Sequence, residues 1–496
     1  MSYRKYYLYK KQYSEDGGIT WLDVEPIEKV TSGESIGEYS TLAECENPTP
    51  IEPQYRTLTT ATTCVGYDLH VLEEHQVSND GGVTWTTTGT TTGSLIEADS
   101  QQCGYTPTPT GGTKWVATFT GGTTASAECG SSTSINQYEV SSDVVSIQIG
   151  DCVTSIGNEA FAYYTSLSSV TIPDSVTSIG SWAFWGCFSL SSVTIPDSVT
   201  SIGARSFTNC TGLTSVTIPD SVTSIGNGSF DSCFSLSSVT IPDSVTTIGG
   251  NAFNSCYSLS SITIPDSVTS IGENAFAGCS GLTSVNIPSG VTSIDDGTFG
   301  YCTSLTSVTI PNSVTSIGEY AFEDCTSLSS VTIPDSVTTI GDLAFQECTS
   351  LTGITIPDSV TTIGSNAFQE CTSLTGITIP DSVTSIEERV FYNCTSLSSV
   401  TIPSGVTYIG GNVFYNCSSL TGITIPNSVT SIDNSAFYGC TSLASVIVEA
   451  TTPPALGSWA FDGTNNCPIY VPSESVQAYK AASGWNTYAS RIQAIT

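Results

Sequence analysis

The sequence of 496 residues predicts a mainly β solenoid. A unit of 23 residues recurs without insertion or deletion from about Val144 to Tyr438, as in Leu167-Ser-Ser-Val170-Thr-Ile172-Pro173-Asp-Ser-Val176-Thr-Ser-Ile179-Gly180-Ser-Trp-Ala183-Phe184-Trp-Gly-Cys187-Phe-Ser189. Counting Leu167 as position 1, positions 1, 4, 6, 10, 13, 18 and 21 hold Leu, Val, Ile, Val, Ile, Phe and Cys, with Ser, Thr, Asp and Gly between them. Within the unit, Val-Thr-Ile alternates with period two and is β-branched, which favours a strand. Self-similarity at a fixed period of this size marks coils that bury their apolar faces only against their neighbours.

Two short modules precede the array, at residues 1–46 and 54–105. Tyr13-Ser14-Glu-Asp16-Gly-Gly18-Ile-Thr20-Trp21 matches Val77-Ser78-Asn-Asp80-Gly-Gly82-Val-Thr84-Trp85. Each reads as a hairpin around Asp-Gly-Gly, where Gly tolerates positive φ and Asp can hydrogen-bond its own backbone. The S-x-D-x-G-x-T-W pattern resembles the Asp-box of sialidase-type propellers, which in that family is a structural turn away from the active site. The Pro-rich stretches Asn47–Pro53 and Tyr105–Gly112 lack backbone donors and read as linkers. A short β segment over 113–143 then serves as the N-terminal cap.

The solenoid is read over 144–466. First positions spaced 23 apart from Val144 to Leu443 number 14 coils, the last degenerate, with one residue inserted before Gly457-Ser-Trp459. In each coil Val-Thr-Ile makes one strand of a parallel sheet, and Pro at position 7 ends it. Pro-Asp-Ser turns the chain, Val-Thr-Ser-Ile makes a second extended segment, and the Ala-Phe region makes a tight helical or 3₁₀ turn. Residues 467–496 form the C-terminal cap. There Cys467-Pro-Ile-Tyr470-Val-Pro472 predicts a closing strand, Ser473 an N-cap for a short helix, and Trp485 with Tyr488 the seal. One coil alone cannot offset the entropy of ordering its residues, so stability is a nearest-neighbour property.

The pattern L-x-x-V-x-I-P-x-x-V-x-x-I-G-x-x-A-F-x-x-C resembles the BspA-like class of leucine-rich repeats, and the match covers nearly two thirds of the chain. The Asn or Cys that follows the first strand in the commoner repeat is missing, so no asparagine ladder is expected there. The resemblance implies a surface or adhesive role in gut bacteria, anaerobic protists or their phages. The paired N-terminal modules and the Cys-Pro-Ile-Tyr-Val-Pro cap are also similar to those of phage-encoded proteins.

Composition excludes several partners. With 11 Lys and Arg against 45 Asp and Glu, the net charge is −34, which repels nucleic acid and anionic membrane surfaces. Neither a signal peptide nor a membrane-spanning stretch is visible. A secreted adhesin is expected to carry a signal peptide, whereas a virion component assembled inside a host cell needs none; the expected location is the virion surface or extracellular, with homo-oligomerisation through the N-terminal modules as an expected assembly. Catalysis has little to work with, because only His70 and His75 are available and no phosphate loop or nucleophile–base set is present. No cofactor is implied.

Two columns carry candidate chemistry. Position 21 is Cys from Cys187 to Cys440, 12 residues in all. Coils stacked about 4.8 Å apart hold parallel side chains near that spacing rather than at the roughly 2 Å of a disulfide. These are read as buried free thiols; pairing among Cys45, Cys64, Cys103, Cys129, Cys152 and Cys467 is left open. Position 8 is Asp in most coils, from Asp174 to Asp381. Stacked carboxylates could recruit calcium, but Pro-Asp-Ser is good turn sequence, and Ser289, Asn312, Ser404 and Asn427 substitute freely. The turn reading is favoured, and no metal site is assigned.

Positions 15, 16, 19, 20 and 22 vary while the core does not, and aromatic residues collect there. Trp182, Trp185 and Phe188 lie in coil 2, Phe234 and Tyr257 at position 22 of coils 4 and 5, and Tyr392, Tyr415 and Tyr438 at position 19 of three consecutive coils. Aromatic rows offer flat apolar faces with polar tips, suited to sugar rings or protein partners. For coil 2 the alternative is packing against the N-terminal cap. The expected function is therefore non-enzymatic: a virion or tail-associated protein displaying the solenoid for attachment to a host surface, or a secreted bacterial adhesin or glycan binder. An accessory to a carbohydrate-active enzyme is a third class.

Overall fold

A computed structural model describes residues 9–13, 19–23, 54–65, 68–78, 86–92, 113–120, 122–128, 134–136 and 140–495. It comprises two units, Met1–Gly111 with Gly122–Glu128, and Gly112–Gly121 with Cys129–Thr496. In the first unit Tyr9–Tyr13 pairs antiparallel with Ile19–Asp23, Tyr13 opposite Ile19. Gln54–Val65, Asp68–Ser78 and Thr86–Thr92 form a three-stranded antiparallel sheet. The Asp-Gly-Gly turns and the Pro-rich linkers lie outside the described residues.

The second unit is a parallel β-solenoid of about 16 turns with little helix. Each coil has three sides. Positions 3–5 form the first ladder, in which Ser169 pairs with Ser192 and Val170 with Val193. Positions 12–13 form the second, Ser178 with Ser201 and Ile179 with Ile202. Partners stand one repeat apart, so each column of the sequence becomes a row in space. The core is those rows: Leu190, Val199, Phe207 and Cys210 are inaccessible to solvent, like their equivalents in other coils. Phe rings stack from Phe161 to Phe461 with centroids 5.1–5.8 Å apart, a continuous aromatic spine.

The polar columns also work as ladders. Position 9 hydroxyls donate to the carbonyl of position 10 in the preceding coil, as Ser175 Oγ does to Val153 O (2.7 Å) and Ser336 Oγ to Val314 O (2.6 Å). Threonines at position 11 donate to their counterparts' carbonyls, Thr177 Oγ1 to Thr154 O at 3.1 Å. Pro173 O accepts from Val176 N at 3.1 Å, so Pro-Asp-Ser-Val is a turn whose Asp174 side chain is exposed. Position 14 is Gly in most coils because the preceding backbone passes beneath it; a Cβ on Gly203 would lie 2.5 Å from Gly180 C. The second ladder is interrupted before Ser293 and before Ser385, where Asp295 and Glu387 replace that glycine. Asp433 also stands there, its N–H donating to Ile409 O at 2.9 Å and its Oδ2 accepting from Tyr408 OH at 3.2 Å, and the pairing of its coil is kept.

Parallel pairing extends beyond residues 144–466. Ser134–Ile135 joins the second ladder beside Ser155–Ile156, while Thr113–Phe119 closes the first by pairing antiparallel with Val144–Ile149. At the other end Ile469 lies opposite Val446 and Ile492 opposite Ile469, so the 23-residue spacing persists. In this last coil the helix Val476–Ala481 and the 3₁₀ turn Trp485–Tyr488 replace the second and third sides. The helix begins after Ser475, with no side-chain cap; Ser473 Oγ instead bonds its neighbour Glu474 at 3.2 Å. Ser473 is thus not the N-cap, because a 3₁₀ turn over Ser473–Ser475 precedes the helix. Trp485 and Tyr488 are buried, Trp485 Nε1 donating to Pro454 O at 2.8 Å and Tyr488 OH to Asp462 Oδ1 at 2.7 Å.

Candidate functional site

The variable positions lie on the third side, whose backbone differs from the other two. The Ala-Phe segment is a run of hydrogen-bonded turns, with positions 16 and 20 left-handed in every coil: Trp182 has φ 55°, Leu343 55° and Asn393 57°. Gly and Asn tolerate this region best, which accounts for Asn251, Asn274, Asn366 and Asn412 at position 16 and Gly186, Gly278 and Gly439 at position 20. N–H groups at positions 16, 18 and 20 donate forward to the next coil, as Phe161 N does to Ala183 O at 2.7 Å. Those at 17, 19 and 21 fold back three residues, as Tyr164 N does to Phe161 O at 3.2 Å. At position 15, Asn158 Oδ1 and Asp342 Oδ1 accept the N–H of Ser181 (2.8 Å) and Ser365 (2.7 Å) one coil on. Part of the variation read as recognition is therefore backbone satisfaction.

The aromatic residues form three groups. Tyr392, Tyr415 and Tyr438 stack with ring centroids 4.9 Å apart and planes within 12°, half-buried and leading to exposed Tyr438. The Arg389 guanidinium lies over the Tyr392 ring at 5.8 Å, closing one end of the row. Phe234 and Tyr257 are exposed and stack at 4.9 Å. In coil 2 Trp185 packs on the ring of Tyr163 at 4.5 Å, Trp182 is half-buried, and Phe188 is exposed. Tyr163, Tyr301, Tyr320 and Trp459 are exposed as well and escape a search for repeated columns, since each stands alone at its position among neighbouring coils.

Tyr301 and Tyr320 border a groove of about 500 Å³ on this side, between coils 5 and 8. Position 19 there runs Asn254, Ala277, Gly300, Glu323, so two successive coils contribute almost no side chain to the floor. Burial raises the Glu323 carboxyl above its ordinary range, while the Tyr301 hydroxyl, donating to it, pulls the other way. That same bond pushes the Tyr301 phenol up to about 12. Beyond the groove Asp324, Glu347 and Glu370 stack at position 20, and Asp324 is raised by burial and then by the charge of Glu347. The thiol column is inert. Each sulfur donates to the position 18 carbonyl of the preceding coil, as Cys210 Sγ does to Phe184 O at 3.2 Å. Burial pushes Cys187, Cys279 and Cys440 up to about 12 and the others up as well.

All 12 column cysteines are buried free thiols, as is Cys467. Cys152 is disulfide-bonded; the side chains of Cys45, Cys64, Cys103 and Cys129 lie outside the described residues. Among the described residues no group of three or more His, Cys, Asp or Glu side chains is placed to hold a metal ion, and no helix is long and apolar enough to cross a membrane.

The model of the BspA type leucine rich repeat region matches residues 133–260, 246–375 and 361–482. The chain belongs to the BspA-type leucine-rich repeat family. Among solved structures, a leucine-rich repeat protein from Bacteroides ovatus ATCC 8483 is 28% identical with a TM-score of 0.54, the match covering 71% of this chain and 95% of its own. A leucine rich cell surface protein from Faecalibacterium prausnitzii A2-165 is 31% identical with a TM-score of 0.44, covering 79% of this chain and 95% of its own. No curated protein matches the chain. The BspA-type match begins at residue 133, about half a coil before Val144, in agreement with the pairing of Ser134–Ile135.

Proposed function

We propose that this chain is a non-enzymatic recognition protein, a virion or tail-associated component whose N-terminal modules attach it and whose solenoid presents its third side to a host-cell surface. The observation that carries the recognition reading is the stacked row Tyr392, Tyr415 and Tyr438. A buried aromatic spine of phenylalanines already holds the coils together, so a second, polar-tipped stack on the outside is not needed for core packing. A rigid row of ring edges and hydroxyls suits a glycan or protein partner at low entropic cost. The net charge of −34 argues against nucleic acid and anionic lipid as partners. The resemblance of the N-terminal modules to phage-encoded proteins supports the particle as carrier.

A secreted bacterial adhesin or glycan binder is the second reading, favoured by the 31% identity to a protein described as a cell surface protein. Imaging intact particles and cells of the source with a labelled antibody separates the two carriers. Replacing Tyr392, Tyr415 and Tyr438 together with Ser should abolish binding to intact cells; binding equal to that of the native chain would overturn the recognition row under either reading.

A further inference from the structure

We propose that the groove between coils 5 and 8 is a second ligand site, which takes a saccharide of neutral or amine-bearing rings. It rests on reading the third side as a recognition surface but not on the tyrosine row, which lies in later coils. The groove holds about 500 Å³, within the range of small-ligand sites. Its floor is low because Ala277 and Gly300 occupy position 19, where Gln346, Gln369 and Tyr392 stand in other coils. Exposed rings of Tyr257, Tyr301 and Tyr320 rise at its edges, giving flat apolar faces for the C–H faces of sugar rings.

Polar groups stand at both ends. Asn254 lines one end, its Oδ1 accepting from Ser255 Oγ at 2.9 Å. Glu323 at the far end is 8% exposed, and its Oε1 accepts from Gln346 Nε2 at 3.5 Å. A carboxylate lining a groove can accept from sugar hydroxyls or an ammonium group. The neighbouring Asp324, Glu347 and Glu370 repel uronates and sialylated ligands.

Titration calorimetry of the full chain with mannotriose, maltotriose, the glucosamine trimer and trigalacturonate tests this. At least one neutral or amine-bearing trisaccharide should bind, and trigalacturonate should not. Ala277→Tyr fills the floor with a side chain that position 19 accepts in Tyr392, Tyr415 and Tyr438, so its melting should be unchanged while binding falls at least about 10-fold. Tyr301→Asn keeps the left-handed backbone and removes the ring from the groove edge, with a similar loss expected. No binding of any neutral or amine-bearing probe up to about 10 mM, equal binding of trigalacturonate, or full binding by Ala277→Tyr would each overturn the site. The triple tyrosine-row variant should keep sugar binding; loss of cell attachment with sugar binding intact shows the two sites to be separate, and failure of the groove leaves the row standing.

Discussion

The two strand sides of each coil and its third side direct their backbone amides differently. On the strand sides the amides flanking the ladders at positions 2, 11 and 14 donate to the preceding coil, as Thr177 N does to Thr154 O at 2.8 Å, and Ser and Thr hydroxyls double those bonds, while position 6 donates forward where Ile218 N meets Thr240 O at 3.2 Å. On the third side amides donate to the following coil through a backbone that alternates between right- and left-handed residues. A strand side repeats its sequence because every position is paired with a copy of itself. On the third side Phe and Cys at positions 18 and 21 belong to the core and positions 16 and 20 must tolerate positive φ, leaving the remaining exposed positions free to change. Display is segregated from scaffold by backbone geometry, and not by exposure alone, since Asp174 is exposed yet part of a turn.

The largest expected effect tests the part both sides share, the thiol column. The folded thiols titrate well above their ordinary value of 9, so the folded state keeps protons that the unfolded chain releases. Stability should be fully present below pH 9 and fall as pH rises toward about 12, by about 1.4 kcal/mol per thiol for each pH unit. Chemical denaturation from pH 8 to 11 measures this; a flat profile would break the assignment of buried protonated thiols. Next, Phe299→Ala in the spine should cost about 3–5 kcal/mol, read as an earlier transition confined to the coils around it.

Smaller changes distinguish the sides. Ser336→Ala removes a hydroxyl bond to Val314 O on a strand side and should cost about 1 kcal/mol in urea unfolding. Leu343→Gly on the third side should do the opposite and stabilise by about 1 kcal/mol, because it relieves a left-handed leucine at φ 55°. If both destabilise equally, the contrast between the sides fails. Smallest is Asp324→Asn, which keeps a residue suited to positive φ and removes one charge from the acidic column. Since its folded carboxyl is raised, the native Asp324 loses stability as pH climbs through its titration, so the variant should gain less than about 1 kcal/mol at pH 7 and nothing in acid.

Much of the fold is legible in the chain itself. Leu, Val, Ile, Phe and Cys at fixed positions specify the core rows, the free thiols and the turn at Pro-Asp-Ser, because a repeat without insertions converts sequence columns into spatial rows. Tyr392, Tyr415 and Tyr438 can be placed in one stack for the same reason. The left-handed alternation is signalled by Gly and Asn at positions 16 and 20, but those residues serve equally in ordinary loops. The caps are harder still: Ile469 and Ile492 keep the 23-residue spacing, yet a helix stands between them where the consensus is absent.

What the sequence determined by itself was the period, the buried columns and the reach of the array, all consequences of local pattern repeated. Tertiary structure alone decided which variable residues meet. Tyr301 at position 20 of one coil and Tyr320 at position 16 of the next share no column, and Gly300 and Ala277 read as mere small residues. They make a groove only because the stacking of coils sets side chains of different positions around one missing row, and that placement depends on backbone handedness rather than on the repeat.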